Sequence, residues 1–140
     1  MILGAPARSL TKTVTIDRPA PAVINFLADP MNWPKWAVVN VFSIEPTEDP
    51  QWWSMDTRQG PARLSIRGHD VQSGIFDHDF VDEQTSWRVP VRVVPNNNGA
   101  IVMMTFLQPP DFTDTHFDEQ MALMDKEFEA LKQILESSRD

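Results

Sequence analysis

The chain of 140 residues carries 20 acidic and 12 basic side chains, a formal charge of -8 at pH 7, with 41% hydrophobic residues and no cysteine. That length suits a single domain with a true core, and the negative balance excludes non-specific binding to nucleic acid or anionic lipid surfaces. Lack of cysteine excludes disulfides and thiolate metal sites and fits a reducing, cytoplasmic setting, and no apolar run reaches membrane-spanning length, so no membrane insertion is expected.

In chain order, residues 1–9 read as a loose leader to one domain spanning 1–140, with no apolar h-region of a signal peptide. Residues 11–16 alternate polar and apolar and are rich in β-branched side chains, which predicts a strand. Asp17-Arg18-Pro19 stops it. Pro21 suits a first helical turn, and Val23, Ile24, Phe26 and Leu27 make a short amphipathic helix that Asp29-Pro30 ends. Residues 31–36 predict one more helical turn carrying Trp33 and Trp36.

From there the pattern becomes strand and turn. Strands are predicted at 37–45, 52–57, 62–68, 75–82, 87–94 and 100–107, with turns at 46–50, 58–61, 72–74 and 83–86. Asn98-Gly99 is a strong hairpin signal. Connections this short favour antiparallel neighbours, hence a six-stranded meander. Pro90 falls inside the fifth of these strands and predicts a bulge there, or ladder bonds on one side only. The last element is a helix over 113–136. Its apolar residues Phe117, Met121, Met124, Phe128, Leu131 and Leu135 are spaced four, three, four, three, four, and so share one stripe. Thr113 is the expected N-cap, Asp114 complements the helix dipole, and Pro109-Pro110 block helix upstream. Glu119, Lys126, Glu129, Lys132, Gln133 and Glu136 occupy the opposite face and are expected in water. A one-sided helix cannot bury its stripe alone, so a sheet is expected to wrap against it.

Alternation assigns the strand faces. Leu64 and Ile66 oppose Arg63, Ser65 and Arg67; Phe76, His78 and Phe80 oppose Asp77 and Asp79; Trp87, Val89, Val91 and Val93 oppose Arg88 and Arg92. A register with Asp77 beside Arg67 and Asp79 beside Arg88 makes the polar face an ionic ladder. Because His78 points away from both aspartates, Asp77-His78-Asp79 is not a metal site, and no metal or cofactor is expected. The inward face is rich in aromatic and methionine bulk, which serves equally as core filler or as the wall of a pocket.

The opening run Thr15-Ile16-Asp17-Arg18-Pro19, then Leu27-Ala28-Asp29-Pro30 and Trp33-Pro34-Lys35-Trp36, resembles that of the START-like or SRPBCC superfamily, the helix-grip fold of Bet v 1-type proteins and polyketide cyclases. The stretches 76–80, 89–96 and 127–136 resemble one bacterial branch of it. The resemblance spans nearly the whole chain. It implies an α+β helix-grip: strand, two short helices, six-stranded meander, and a long C-terminal helix packed across a curved seven-stranded sheet. It also implies a cavity between sheet and helix. Residues pointing inward become its candidate lining: Leu64, Ile66, Phe76, His78, Phe80, Trp87, Val89, Met104, Met121 and Met124, with Trp33 and Trp36 toward the mouth and Trp53 beside them. His78 is the candidate polar anchor and the only candidate catalytic group; the alternative is a core histidine bonded to a backbone carbonyl or water. His69 and His116 have weaker claims.

Three functions fit. One is binding of a small hydrophobic or aromatic molecule, by a monomer or homodimer. Another is a polyketide cyclase-, dehydratase- or hydrolase-like enzyme using the same cavity through His78, although no serine-hydrolase, P-loop or dinucleotide motif is present. The last is a protein-interaction module like the Hsp90-activator domains that belong to the superfamily this chain resembles, suggested by nine acidic against three basic residues over 108–140.

Overall fold

The computed structural model describes residues 4–138. Its element order is β1 (Ser9–Ile16), α1 (Ala20–Ala28), a 3-10 turn (Pro30–Asn32), α2 (Trp33–Trp36), β2 (Val41–Pro46), β3 (Trp52–Thr57), β4 (Gly60–Asp70), β5 (Ile75–Asp82), β6 (Ser86–Val89), β7 (Val91–Asn96), β8 (Gly99–Leu107) and α3 (Asp114–Ser137). The strands form one antiparallel sheet in the order β1-β8-β7-β5-β4-β3-β2, with β6 paired to β5 off that path. The predicted meander is therefore present, closed at one edge by β1 running against β8 from Ser9↔Leu107 to Ile16↔Ala100.

Where seven strands were expected there are eight, and Pro90 is the reason. It has no N–H to give the ladder, so the predicted strand 87–94 is divided. The β6 half pairs with β5 through Phe80↔Trp87 and His78↔Val89. The β7 half turns onto β8 through Val91↔Met104. The Pro90 carbonyl still accepts from the Thr105 N–H at 3.1 Å. The strand predicted from residue 37 begins only at Val41, because 37–40 form a turn whose N–H groups are engaged elsewhere, as described below. The Asn98-Gly99 hairpin exists, but its loop is Asn97-Asn98, with Asn97 at φ 52°. Gly99 opens β8, where a Cβ would lie 2.7 Å from the Ile16 carbonyl.

The ionic ladder keeps one predicted pair, Asp79 beside Arg88, and loses the other, Asp77 beside Arg67. A bulge between Ile66 and Gly68 leaves Arg67 outside the pairing. Arg67 consequently meets Asp79 at 3.1 Å, and Arg88 meets the same carboxylate at 3.2 Å. Asp77 instead takes Arg92 at 2.7 Å and the Val91 N–H at 3.0 Å.

Helix α3 starts as predicted, with the Thr113 hydroxyl accepting from the His116 N–H at 3.0 Å. Phe117, Met121, Phe128, Leu131 and Leu135 of its stripe are buried, and Met124 is half-buried. They pack over a core built on Ile16, Val102, Met104 and Phe106 of β1 and β8. The polar face is less free than expected. Lys132 donates to the Thr15 carbonyl at 2.7 Å, and Glu136 accepts from the Asp17 N–H at 2.8 Å. Arg18 reaches the carbonyls of Leu135 and Ser138 at 2.9 and 3.0 Å, capping the helix end where the dipole favours a cation. Of the predicted leader, residues 1–3 lie outside the described residues. Residues 4–8 are exposed, yet the Arg8 carbonyl accepts from Gln108 at 2.8 Å and its guanidinium meets Asp118 at 2.6 Å. No helix among the described residues is long and apolar enough to cross a membrane.

Candidate functional site

A strongly bent sheet and a helix across it cannot touch along their whole length, and between them lies a hollow of about 190 Å³. Its walls come from α2 and the turn after it, from β5, β6 and β8, and from α3. Strand alternation supplies His78 and Phe80 from β5, Trp87 and Val89 from β6, and Met104 and Phe106 from β8. Helix α3 supplies Met121 and Met124 from its apolar stripe. Gln59, Gln84 and His116 are lining residues that are also exposed, so they mark the rim.

Trp33 and Trp36 also line the hollow, but they are 3% and 2% exposed and form its inner wall rather than its mouth. The reason is local. The Asp29 side chain accepts from the Met31 N–H at 3.0 Å and so caps the 3-10 turn before α2, and the Trp33 indole donates to the Leu27 carbonyl at 3.1 Å. These bonds fold the α2 turn inward. Trp33 then meets Trp36 at 5.1 Å and stands edge-on to His78 at 4.9 Å between ring centres.

Four expected lining residues are not on the wall. Phe76 is fully buried and packs edge-on against Trp33, which takes the place facing the hollow. Leu64 is fully buried behind its neighbours, and Trp53 and Ile66 pack half-buried against the core elsewhere on the sheet. Curvature accounts for this: on a bent sheet only part of the inward face borders the gap.

Two polar groups define the chemistry inside. His78 is 4% exposed, and burial, partly opposed by the Phe76 carbonyl and the carboxylates of Asp79 and Asp77, lowers its pKa from 6.5 to about 4. Its imidazole is therefore neutral at pH 7, and Nδ1 has no hydrogen-bond partner among the described residues. The second group, Glu127, was missed by the sequence reading. It is 2% exposed on the wall of the hollow. One carboxylate oxygen accepts from the N–H groups of Val39 and Asn40 at 3.1 and 3.0 Å, and the other from the Asn40 side-chain amide at 3.2 Å. Burial raises its pKa, and these bonds oppose the rise. The signal for it was the heptad spacing of Gln120 and Glu127, which puts both beside the apolar stripe and both on the wall. Asn40 was hidden inside a stretch read as strand.

This architecture is the helix-grip fold of Bet v 1-type and START proteins, the fold that the opening motif resembles. No protein-family profile matches the chain, and no curated protein matches it in sequence. Solved structures match in shape. Ara h 8.0201 aligns with TM-score 0.73 at 14% identity over 94% of this chain and 99% of that one. A START superfamily protein from Mycobacterium smegmatis aligns with TM-score 0.67 at 14% identity, over 91% and 98% respectively. Norcoclaurine synthase from Thalictrum flavum, solved with dopamine and hydroxybenzaldehyde, aligns with TM-score 0.70 at 10% identity over 100% and 98%. At such identities the likeness establishes the fold alone.

Proposed function

We propose that this protein binds a small hydrophobic or aromatic molecule in the hollow between the curved sheet and α3. The observation that carries the reading is a gap of about 190 Å³ walled by aromatic and thioether side chains, where a well-packed core would have closed. An apolar cavity of roughly 150 Å³ is enough to hold benzene, so this one suits a single substituted ring. Norcoclaurine synthase, a protein of the same fold, was solved in complex with two one-ring compounds, dopamine and hydroxybenzaldehyde. Thermal unfolding in the presence of toluene and indole tests the proposal. Ligand at a hundred times its Kd stabilises by about 2.7 kcal/mol. Met124→Trp, which fills the hollow, is expected to abolish the shift. An equal shift in the filled variant, or none in the native protein, would refute the reading.

A second reading, an enzyme acting on the bound ring, is favoured by His78 and Glu127 sharing one cavity. A neutral imidazole and a carboxyl displaced upward are the two ingredients of proton transfer near neutrality. Buffer-corrected hydrolysis of 4-nitrophenyl acetate at one rate in the native protein, His78→Ala and Glu127→Gln would dismiss it.

A further inference from the structure

The two tryptophans of α2 sit side by side, yet their indole N–H groups have different fates. Trp33 Nε1 is satisfied by the Leu27 carbonyl at 3.1 Å. Trp36 Nε1 is fully buried and has no hydrogen-bond partner among the described residues. Buried indole N–H groups ordinarily find an acceptor, and one left alone is costly. His78 Nδ1 is a second buried polar atom without a partner among the described residues, and both residues border the same hollow. Both rings also flank Trp33, at 5.1 and 4.9 Å between centres, so the unused atoms belong to one end of the cavity.

We propose that the ligand is an uncharged one-ring aromatic bearing a hydroxyl group, a phenol in class, with that hydroxyl seated at the Trp36 and His78 end. The inference rests on the binding function proposed above and specifies its ligand. A hydroxyl can accept from the indole N–H and donate to an imidazole nitrogen, which neither a hydrocarbon nor a single-function group can do. Charged rings fit worse. The Glu127 carboxylate on the same wall opposes an anion. A cation seated at the Trp36 and His78 end would leave the indole N–H unanswered, because an ammonium group has no acceptor to offer it. The hollow, at about 190 Å³, leaves no room for a fused-ring system of lipid size.

Calorimetric titration with p-cresol, toluene, benzoate and benzylamine at pH 7 separates these cases. p-Cresol is expected to bind about tenfold more tightly than toluene, the yield of one well-made hydrogen bond in a dry site. In Trp36→Phe the two affinities should become equal. His78→Leu gives the same comparison from the other side of the hydroxyl, should Trp36→Phe fail to fold. Equal binding of toluene and p-cresol to the native protein would overturn the phenol assignment and leave the cavity function standing. Tighter binding of benzoate or benzylamine would overturn it as well. Binding of none of the four would overturn both.

Discussion

Replacing His78 with glutamine removes a titrating group that burial holds neutral, and the consequence for acid stability can be worked out from its position. Unfolded, the imidazole titrates near 6.5; folded, it titrates near 4. A depressed folded value means that the unfolded chain takes up the proton first. The contribution of His78 to stability is thus complete above pH 6.5 and is lost as the pH falls through 6.5 toward 4. At about 1.4 kcal/mol per decade the loss is about 3 kcal/mol by pH 4. The surrounding charges do not cancel it: Asp77 and Asp79 raise the imidazole pKa but are tied to Arg92 and to Arg67 and Arg88 on the opposite face of the sheet. Urea unfolding followed by tryptophan fluorescence, at pH 7 and pH 4, gives the quantity directly. The native protein is expected to lose about 3 kcal/mol more than His78→Gln across that interval. Parallel losses in the two proteins would show that the imidazole is not held neutral, and the account of the cavity's polar end would fall with it.

Glu127 should behave with the opposite sign. Its raised folded pKa supplies stability that is complete below 4.5 and disappears as the pH rises through the folded value. The stability of the native protein relative to Glu127→Gln is therefore expected to increase on acidification from pH 7 to pH 4, measured by the same urea titrations; a constant difference would contradict this. Glu127→Ala strips the acceptor from Val39 and Asn40 and is expected to cost about 2 kcal/mol at pH 7. Gly74 has φ +67°, and a Cβ there would stand 2.0 Å from the Val93 carbonyl, so Gly74→Ala should lower stability by at least about 2 kcal/mol. A melting temperature within a degree of native would refute that clash. Asp79→Asn loosens Arg67 and Arg88, both substantially exposed, and should cost no more than about 1 kcal/mol by chemical denaturation.

The helix-grip frame was largely legible in the chain because local signals and burial agree there. The α3 stripe, its Thr113 cap, and the alternation of β4 and β5 each announce one face. What alternation does not encode is curvature. It assigned Leu64, Phe76, His78 and Phe80 to one face, which holds, but it gave no way to know that Leu64 and Phe76 are packed shut while His78 and Phe80 border space. Register was equally out of reach wherever an unpaired residue intervened: at the bulge Arg67 leaves Asp77 for Asp79, while Asp79 keeps its expected partner Arg88. Glu127 escaped notice because a lone acid on a helix reads as solvated. Its burial depends on donors from Val39 and Asn40, 88 and 87 residues earlier in the chain.

That separation governs when the pocket comes into being. The Val39 N–H and the Glu127 carboxylate that receives it are 88 residues apart. During synthesis the early turn, with Trp36 beside it, must wait for α3 to emerge from the ribosome before its amides are answered by Glu127. A nascent chain stalled ahead of α3 would display an open, aromatic-lined trough. Until α3 docks, that trough presents the kind of transiently exposed apolar surface through which incompletely folded chains associate.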